Sequence, residues 1–97
     1  MKILLVCAGG VSTSILMKKM MNYASQNGID LLVEAHAVQE FDDVIGEFEA
    51  VLVGPQISYK LAELKGKTSK PVAVIDSLDY ALGNAEKVIN LAKKILG

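Results

Sequence analysis

The residues best suited to chemistry form the segment from Cys7 to Ser14, whose sequence is CAGGVSTS. Cys7 is the only cysteine of the chain, and it ends an apolar run over residues 2–7 that predicts a buried strand. Helical spacing begins near Thr13, so the segment leads into a helix N-terminus, where free N–H groups and the helix dipole attract anions. The same positive field favours the thiolate form of Cys7 at neutral pH. The segment therefore predicts a nucleophilic cysteine in a phosphate-binding loop.

A second interpretation makes Cys7 a small buried hydrophobic residue at a strand end. Two glycines and three hydroxyl residues follow it, and those hydroxyls would compete with backbone hydrogen bonds if the segment were only structural. Neither common nucleotide-binding pattern, GxxxxGK[ST] or GxGxxG, occurs in the chain. We therefore favour a reactive cysteine.

All ten cationic side chains are lysines, and the chain has no arginine. Tyrosine phosphatases also place a cysteine after a strand, but their CX5R loop ends in an arginine where this chain has Thr13. The arginine fork holds the phosphoryl oxygens in a geometry that lysine cannot reproduce. Cys7 is therefore predicted to carry phosphate and pass it on. The alternatives are a hydrolase similar to the low-molecular-weight phosphatases and a thiol redox module, which would need a resolving cysteine.

Composition limits the remaining classes of function. With 97 residues, of which 52% are hydrophobic, the chain suits one domain with one core. A net charge of -1 and 5% aromatic residues give no basic field or stacking platform for nucleic acid. A lone cysteine, the lack of a signal peptide and apolar segments too short to cross a bilayer predict a cytoplasmic protein without direct membrane insertion. The sequence shows no metal-ligand set and implies no cofactor.

Apolar strand-like runs alternate with helix-period stretches, which predicts an α/β fold. One four-stranded parallel sheet, in the order 2-1-3-4 and with helices on both faces, fits the length. The predicted strands are residues 2–7, 31–38, 50–53 and 72–75. Helices are predicted from Thr13 to Asn27, over the apolar positions between Phe41 and Phe48, after Gln56, and from Ala85 onward. The predicted inner stripe of the first helix is Met17, Met20, Met21 and Ala24.

Two single residues allow more than one role. His36 could carry phosphate, but its place inside a strand favours a histidine with a local partner. Asp76 could be a general acid, although a residue bonding its own turn is favoured, because a carrier gains nothing from protonating the thiolate.

Three segments together resemble the IIB subunits of the bacterial phosphoenolpyruvate-dependent sugar phosphotransferase system, in the lactose/cellobiose/chitobiose family. The first is Cys7-x-x-Gly10-x-Ser12-Thr13-Ser14, similar to the family's phosphocysteine loop. The second is VGPQI at residues 53–57 with Tyr59, and the third is VIDS at residues 74–77 with Tyr80. They occur in the family's order, and the resemblance covers almost the whole chain.

The resemblance implies a phosphotransferase with a phosphocysteine intermediate, formed by residues 1–97 as one IIB domain that resembles the low-molecular-weight tyrosine phosphatases in fold. Cys7 would accept a phosphoryl group from a phosphohistidine of the IIA protein. A disaccharide taken up through the IIC membrane permease would then receive it. The oxygens would be held by the loop residues, namely Ala8, Gly9, Gly10, Val11, Ser12, Thr13 and Ser14. Gln56, Tyr59 and Tyr80 could rim a docking face for these partners or cap the core with their polar tips.

Overall fold

The computed structural model describes residues 1–8 and 12–97, the side chains of residues 12 and 13 excepted. Its strands are β1 (Lys2–Cys7), β2 (Leu32–Ala37), β3 (Ala50–Val53) and β4 (Val72–Val74). Within these residues they form one parallel sheet in the order β2-β1-β3-β4. The predicted α/β class, single sheet and strand order are confirmed, and no strand end differs from its prediction by more than one residue.

Helices cover both faces of the sheet, as predicted. The α-helices of the described residues are α1 (Ser12–Gln26), α2 (Phe41–Val44), α3 (Leu61–Lys67), α4 (Ser77–Leu82) and α5 (Ala85–Leu96). Side chains of α1 and α5 share one core with Ile3 and Leu5, whereas α2 and α3 share a second core with Leu4 and Val6. None of the described helices has both the length and the apolar character needed to cross a membrane.

β1 is apolar along most of its length because one core covers each of its faces, as is also the case for β3. Residues 3–6 are at most 1% exposed, and a strand covered on both faces has no solvent side on which polar residues could alternate. Burial of each such aliphatic side chain contributes about 1.5–3 kcal/mol. These contacts fix the strand whose last residue is Cys7.

The inner stripe of α1 differs from its prediction. Leu16, Met20 and Ala24 are buried at successive four-residue steps, whereas Met21 is 38% exposed and Met17 is half-buried. Steps of four keep the side chains on one face of an α-helix, and Met21 lies about 100° away from Met20 around the axis. The buried face of α1 is therefore formed by Leu16, Met20 and Ala24, and the predicted Met21 lies outside it.

The predicted second and third helices each begin with a 3-10 segment before the α-helix. Residues 38–47 form 3-10 turns at Val38–Glu40 and Ile45–Glu47 on either side of α2. A 3-10 stretch, Pro55–Lys60, likewise precedes α3, and its Ile57 has the non-helical angles φ -121° and ψ 30°. The buried side chains Phe41, Phe48 and Ile57 still reach the second core.

α4 was not predicted from the sequence. The Asp76 carboxylate caps its start by accepting hydrogen bonds from the N–H groups of Leu78 (2.9 Å) and Asp79 (3.3 Å). Gly83 ends it in the left-handed conformation with φ 62°. The helix has no buried residue, so the hydrophobic spacing that revealed the other helices is missing here.

Candidate functional site

Cys7 is the last residue of β1, which lies between β2 and β3 at the centre of the sheet. Its side chain is 9% exposed, and the thiol donates a hydrogen bond to the backbone carbonyl oxygen of His36, with Sγ 3.5 Å from the oxygen. Open α/β sheets bind ligands beyond the carboxyl ends of their strands, where the strand order reverses. Cys7 therefore lies at the carboxyl end of the parallel strands, where a ligand is expected to bind.

The predicted phosphate-binding loop joins Cys7 to α1. Ala8 is exposed at its start, and Ser14 is half-buried in the first turn of α1. Gly9, Gly10 and Val11 lie outside the described residues, as do the side chains of residues 12 and 13. The described backbone fixes both ends of the loop, because α1 begins at Ser12, and the first N–H groups of an α-helix have no partner within the helix. Anion binding by the loop stays a prediction.

A groove of about 490 Å³ lies beside the site, and we call it the apolar groove. Its lining includes Ile15 and Leu16 of α1, Pro55 and Gln56 after β3, and Tyr80 and Ala81 of α4. Ile15 is 61% exposed although it is strongly hydrophobic. The same lining brings together two of the predicted docking residues, Gln56 and Tyr80.

A second groove, of about 350 Å³, borders the start of the loop, and we call it the polar groove. It is lined by Ala8, Val38 and Gln39 and by residues of the segment that leads into α3, among them Tyr59, Lys60 and Glu63. Tyr59 is 76% exposed, so it does not cap the core. The three predicted docking residues thus divide between two surfaces.

His36 has local partners, as predicted. Its Nε2 atom lies 3.1 Å from Oε1 of Glu34, and its Nδ1 atom lies 3.4 Å from Oε1 of Glu40. The ring also meets the buried Phe48 edge-on, with centroids 6.3 Å apart. Among the described residues, no three side chains of the metal-binding types are placed to hold an ion.

Asp76 bonds its own turn, as favoured from the sequence. Its carboxylate accepts from two backbone N–H groups at the start of α4, and it thereby orients the helix that carries Tyr80. Sequence analysis missed Ile15, Ser77 and Ala81 as groove residues. The capping pair formed by Asp76 before α4 and Gly83 after it is the signal that could have revealed this helix.

The model of one protein family, the lactose/cellobiose-specific IIB subunit of the phosphotransferase system (PTS), matches residues 2–91. The chain belongs to this family. The resemblance noted in the sequence is thereby confirmed, and this IIB component has relatives of nearly equal length. The oligo-beta-mannoside-specific EIIB component of Bacillus subtilis (strain 168) is 33% identical over 98 residues, covering 98% of this chain and 95% of that protein. The galactose-specific EIIB component of Lactococcus lactis subsp. cremoris is 30% identical over 102 residues, covering 97% and 94%.

Solved structures agree with this assignment. The solution structure of the cellobiose-specific IIB component from Borrelia burgdorferi has a TM-score of 0.83 and 35% identity, covering 99% of this chain and 91% of that one. The lactose-specific IIB domain from Streptococcus pneumoniae also has a TM-score of 0.83, at 16% identity, covering 93% and 95%, and supports the fold alone. This IIB component therefore shares the phosphatase-like fold of IIB domains, as expected.

Proposed function

We propose that Cys7 of this IIB component carries a phosphoryl group between two partners, a IIA phosphohistidine protein and a disaccharide taken up through a IIC permease. The observation that carries the proposal is the position of Cys7, at the carboxyl end of the central strand and just before the N-terminus of α1. Membership of the IIB family, whose model matches residues 2–91, supplies the reaction class, and we assign residues 1–97 to one IIB domain.

The first half of the relay is nucleophilic substitution at phosphorus. The thiol loses its proton, the sulfur forms a bond to phosphorus, and the N–P bond of the donor breaks with its electron pair left on the imidazole nitrogen. That nitrogen is then a base and can take up the released proton. In the second half, a sugar hydroxyl attacks phosphorus, the S–P bond breaks, and the hydroxyl proton balances the thiolate that is left.

The loop contributes alignment and stabilisation of charge on the three equatorial oxygens. We assign this role to the backbone N–H groups of residues 8–14, with the hydroxyl groups of Ser12, Thr13 and Ser14 as additional donors. A helix N-terminus favours negative charge near its first turn, and α1 supplies one. The transfer uses no metal or cofactor.

Two features favour a carrier over a hydrolase. The chain has no arginine to hold the phosphoryl oxygens in the manner of the tyrosine phosphatases. The Asp76 carboxylate accepts hydrogen bonds from two amides of α4, so it is engaged as a helix cap. We therefore assign the phosphocysteine a lifetime that suits transfer between proteins rather than transfer to water.

Both partners must reach the same sulfur atom, so their docking surfaces adjoin the loop. Gln56 and Tyr80 offer contacts in the apolar groove, and Tyr59 offers a third in the polar groove. We assign the protein to the cytoplasm, with transient association at the permease. The relatives are named for oligo-beta-mannoside, galactose and cellobiose, and the sugar of this system is proposed to be a disaccharide selected by IIC.

Phosphoryl transfer from labelled phosphoenolpyruvate tests the proposal. The purified chain is incubated with the general phosphotransferase proteins and IIA, and protein-bound label is followed over time. Wild-type protein should acquire stable label, Cys7→Ser should acquire none, and His36→Gln, a control next to the site, should acquire as much as wild type. Adding membranes that contain the permease together with the disaccharide should then remove the label as sugar phosphate. Rapid release of inorganic phosphate without an acceptor, or full labelling of Cys7→Ser, would exclude the carrier.

A further inference from the structure

The peptide group between His36 and Ala37 is hydrogen-bonded at both of its ends. Its carbonyl oxygen accepts from the Cys7 thiol, with Sγ at 3.5 Å, and its N–H donates to Oε1 of Glu40 at 3.1 Å. Both ends belong to one planar, conjugated amide. The sulfur and a carboxylate are therefore connected by two hydrogen bonds that share a single peptide group.

A carboxylate that accepts from an amide N–H polarises the amide and places more negative charge on its carbonyl oxygen. That oxygen becomes a better acceptor for the thiol proton of Cys7. A thiolate has no proton to donate, and neither does a sulfur that carries a phosphoryl group. In both of those states the sulfur faces the oxygen lone pairs without a hydrogen bond.

We propose that Glu40 is a positioning residue for Cys7, which acts through the 36–37 peptide group to stabilise the protonated thiol relative to a sulfur that is ionised or phosphorylated. The S–H bond breaks on ionisation, the proton leaves for water, and the hydrogen bond to the His36 carbonyl is lost with it. One consequence rests on the proposed carrier function. Because the protonated thiol is stabilised relative to the phosphorylated sulfur, transfer of the phosphoryl group to the acceptor becomes more favourable.

The other charged groups around Cys7 give this inference its control. Glu34, a residue of β2, contacts the same histidine ring as Glu40. Its Oε1 lies 3.1 Å from Nε2 of His36, whereas Glu40 contacts Nδ1. The side chains of Glu34 and Glu40 are similarly exposed, at 51% and 56%, so water screens the direct field of each. Of the two, only Glu40 is hydrogen-bonded to the 36–37 peptide group.

Across the site, Lys60 and Lys67 line the polar groove, and each is paired with a carboxylate. Lys60 lies 3.6 Å from Glu63, and Lys67 lies 3.4 Å from Asp42. Neither ion pair includes Glu34 or Glu40, so both should persist when those residues are changed. Any difference between variants at positions 34 and 40 therefore reports the link through the peptide.

Alkylation of the free thiol by iodoacetamide measures the thiolate directly, because the thiolate is the reacting form. The rate is followed over a pH series for wild type, Glu40→Gln and Glu34→Gln, each of which loses one negative charge. We expect Glu40→Gln to react about two- to five-fold faster than wild type at neutral pH. Glu34→Gln should follow the wild-type profile. Equal acceleration of both variants, or no acceleration of Glu40→Gln, would overturn the inference.

Backbone NMR of the same variants separates this effect from a change of fold. The Ala37 amide proton should move upfield in Glu40→Gln, because its acceptor loses charge, while the amides of residues 32–35 and of α5 keep their positions. An unmoved Ala37 signal would contradict the hydrogen bond. No phosphoryl donor is used in either measurement, so these results are independent of whether Cys7 carries phosphate.

Discussion

The amide N–H of Gly54 donates a 2.9 Å hydrogen bond to the carbonyl oxygen of Val6, the residue just before the nucleophile. This bond continues the pairing of β1 with β3 by one residue beyond the end of β3. A Cβ atom on Gly54 would lie 3.5 Å from that same oxygen and 3.3 Å from Oε1 of Gln56. The absence of a side chain at position 54 thus leaves room for Gln56 and the Tyr80 ring, two residues of the apolar groove, close to the Val6 carbonyl.

A larger residue at position 54 should therefore disturb the site. In Gly54→Val, the added methyl groups press on the Val6 carbonyl and on Gln56, and we expect a loss of about 1–3 kcal/mol in the free energy of unfolding. Phosphoryl transfer from IIA should fall as well, because Gln56 and the Tyr80 ring are displaced. Urea denaturation and the labelled transfer assay measure the two effects.

Gly66 provides the control, since no atom beyond its chain neighbours and the backbone of its own helix lies within 4 Å of the place where its Cβ would stand. It is in α3, where alanine is the better helix former, so Gly66→Ala should be stabilising by about 0.5–1 kcal/mol. Its transfer rate should equal that of wild type. Unchanged stability and transfer in Gly54→Val would show that the close approach at Gly54 has no role.

Asp76 allows its structural and chemical roles to be separated. Asp76→Ala removes the cap of α4 and should cost about 0.5–2 kcal/mol. Asparagine caps a helix about as well as aspartate, so Asp76→Asn should keep both the wild-type stability and the transfer rate. A large loss of transfer in a stable Asp76→Asn protein would instead identify Asp76 as an acid or base of the reaction.

Phosphorylation should change the surroundings of the loop and little else. In wild-type protein charged by IIA, we expect the backbone amide signals of residues 8–14 to shift, since their N–H groups gain an anionic acceptor. Signals from α5, whose Val88, Ile89 and Ala92 are buried in the first core, should stay in place. Shifts of equal size along the whole chain would contradict local binding by the loop.

The sequence predicted most of the sheet because its two central strands, β1 and β3, are buried on both faces. The apolar run of β1 and its end at Cys7 need no knowledge of distant contacts, and the strong periodicity of α5 is similarly local. α1 ends near Gly28, whose φ of 64° is the left-handed conformation expected after a helix. Such features are properties of neighbouring residues, which a sequence displays.

Other features depend on which residues meet in space. The carboxylate of Glu40 accepts a hydrogen bond from the Ala37 N–H and so reaches the peptide group whose carbonyl oxygen contacts Cys7. That contact requires the register in which Cys7 lies opposite Ala37. The exposed leucines of α4, Leu78 and Leu82, likewise gave no inward-facing pattern. The spacing of apolar residues in the sequence therefore indicates neither the register of strand pairing nor a helix whose apolar side chains are exposed.

Tandem mass spectrometry of the protein charged by phospho-IIA tests the central claim most directly, when it is performed under conditions that preserve acid-sensitive phosphate esters. The account predicts one added PO3 group on the peptide that contains Cys7, and none on the peptide that contains His36. A phosphoryl group on His36, or no adduct under conditions that charge other IIB carriers, would contradict it.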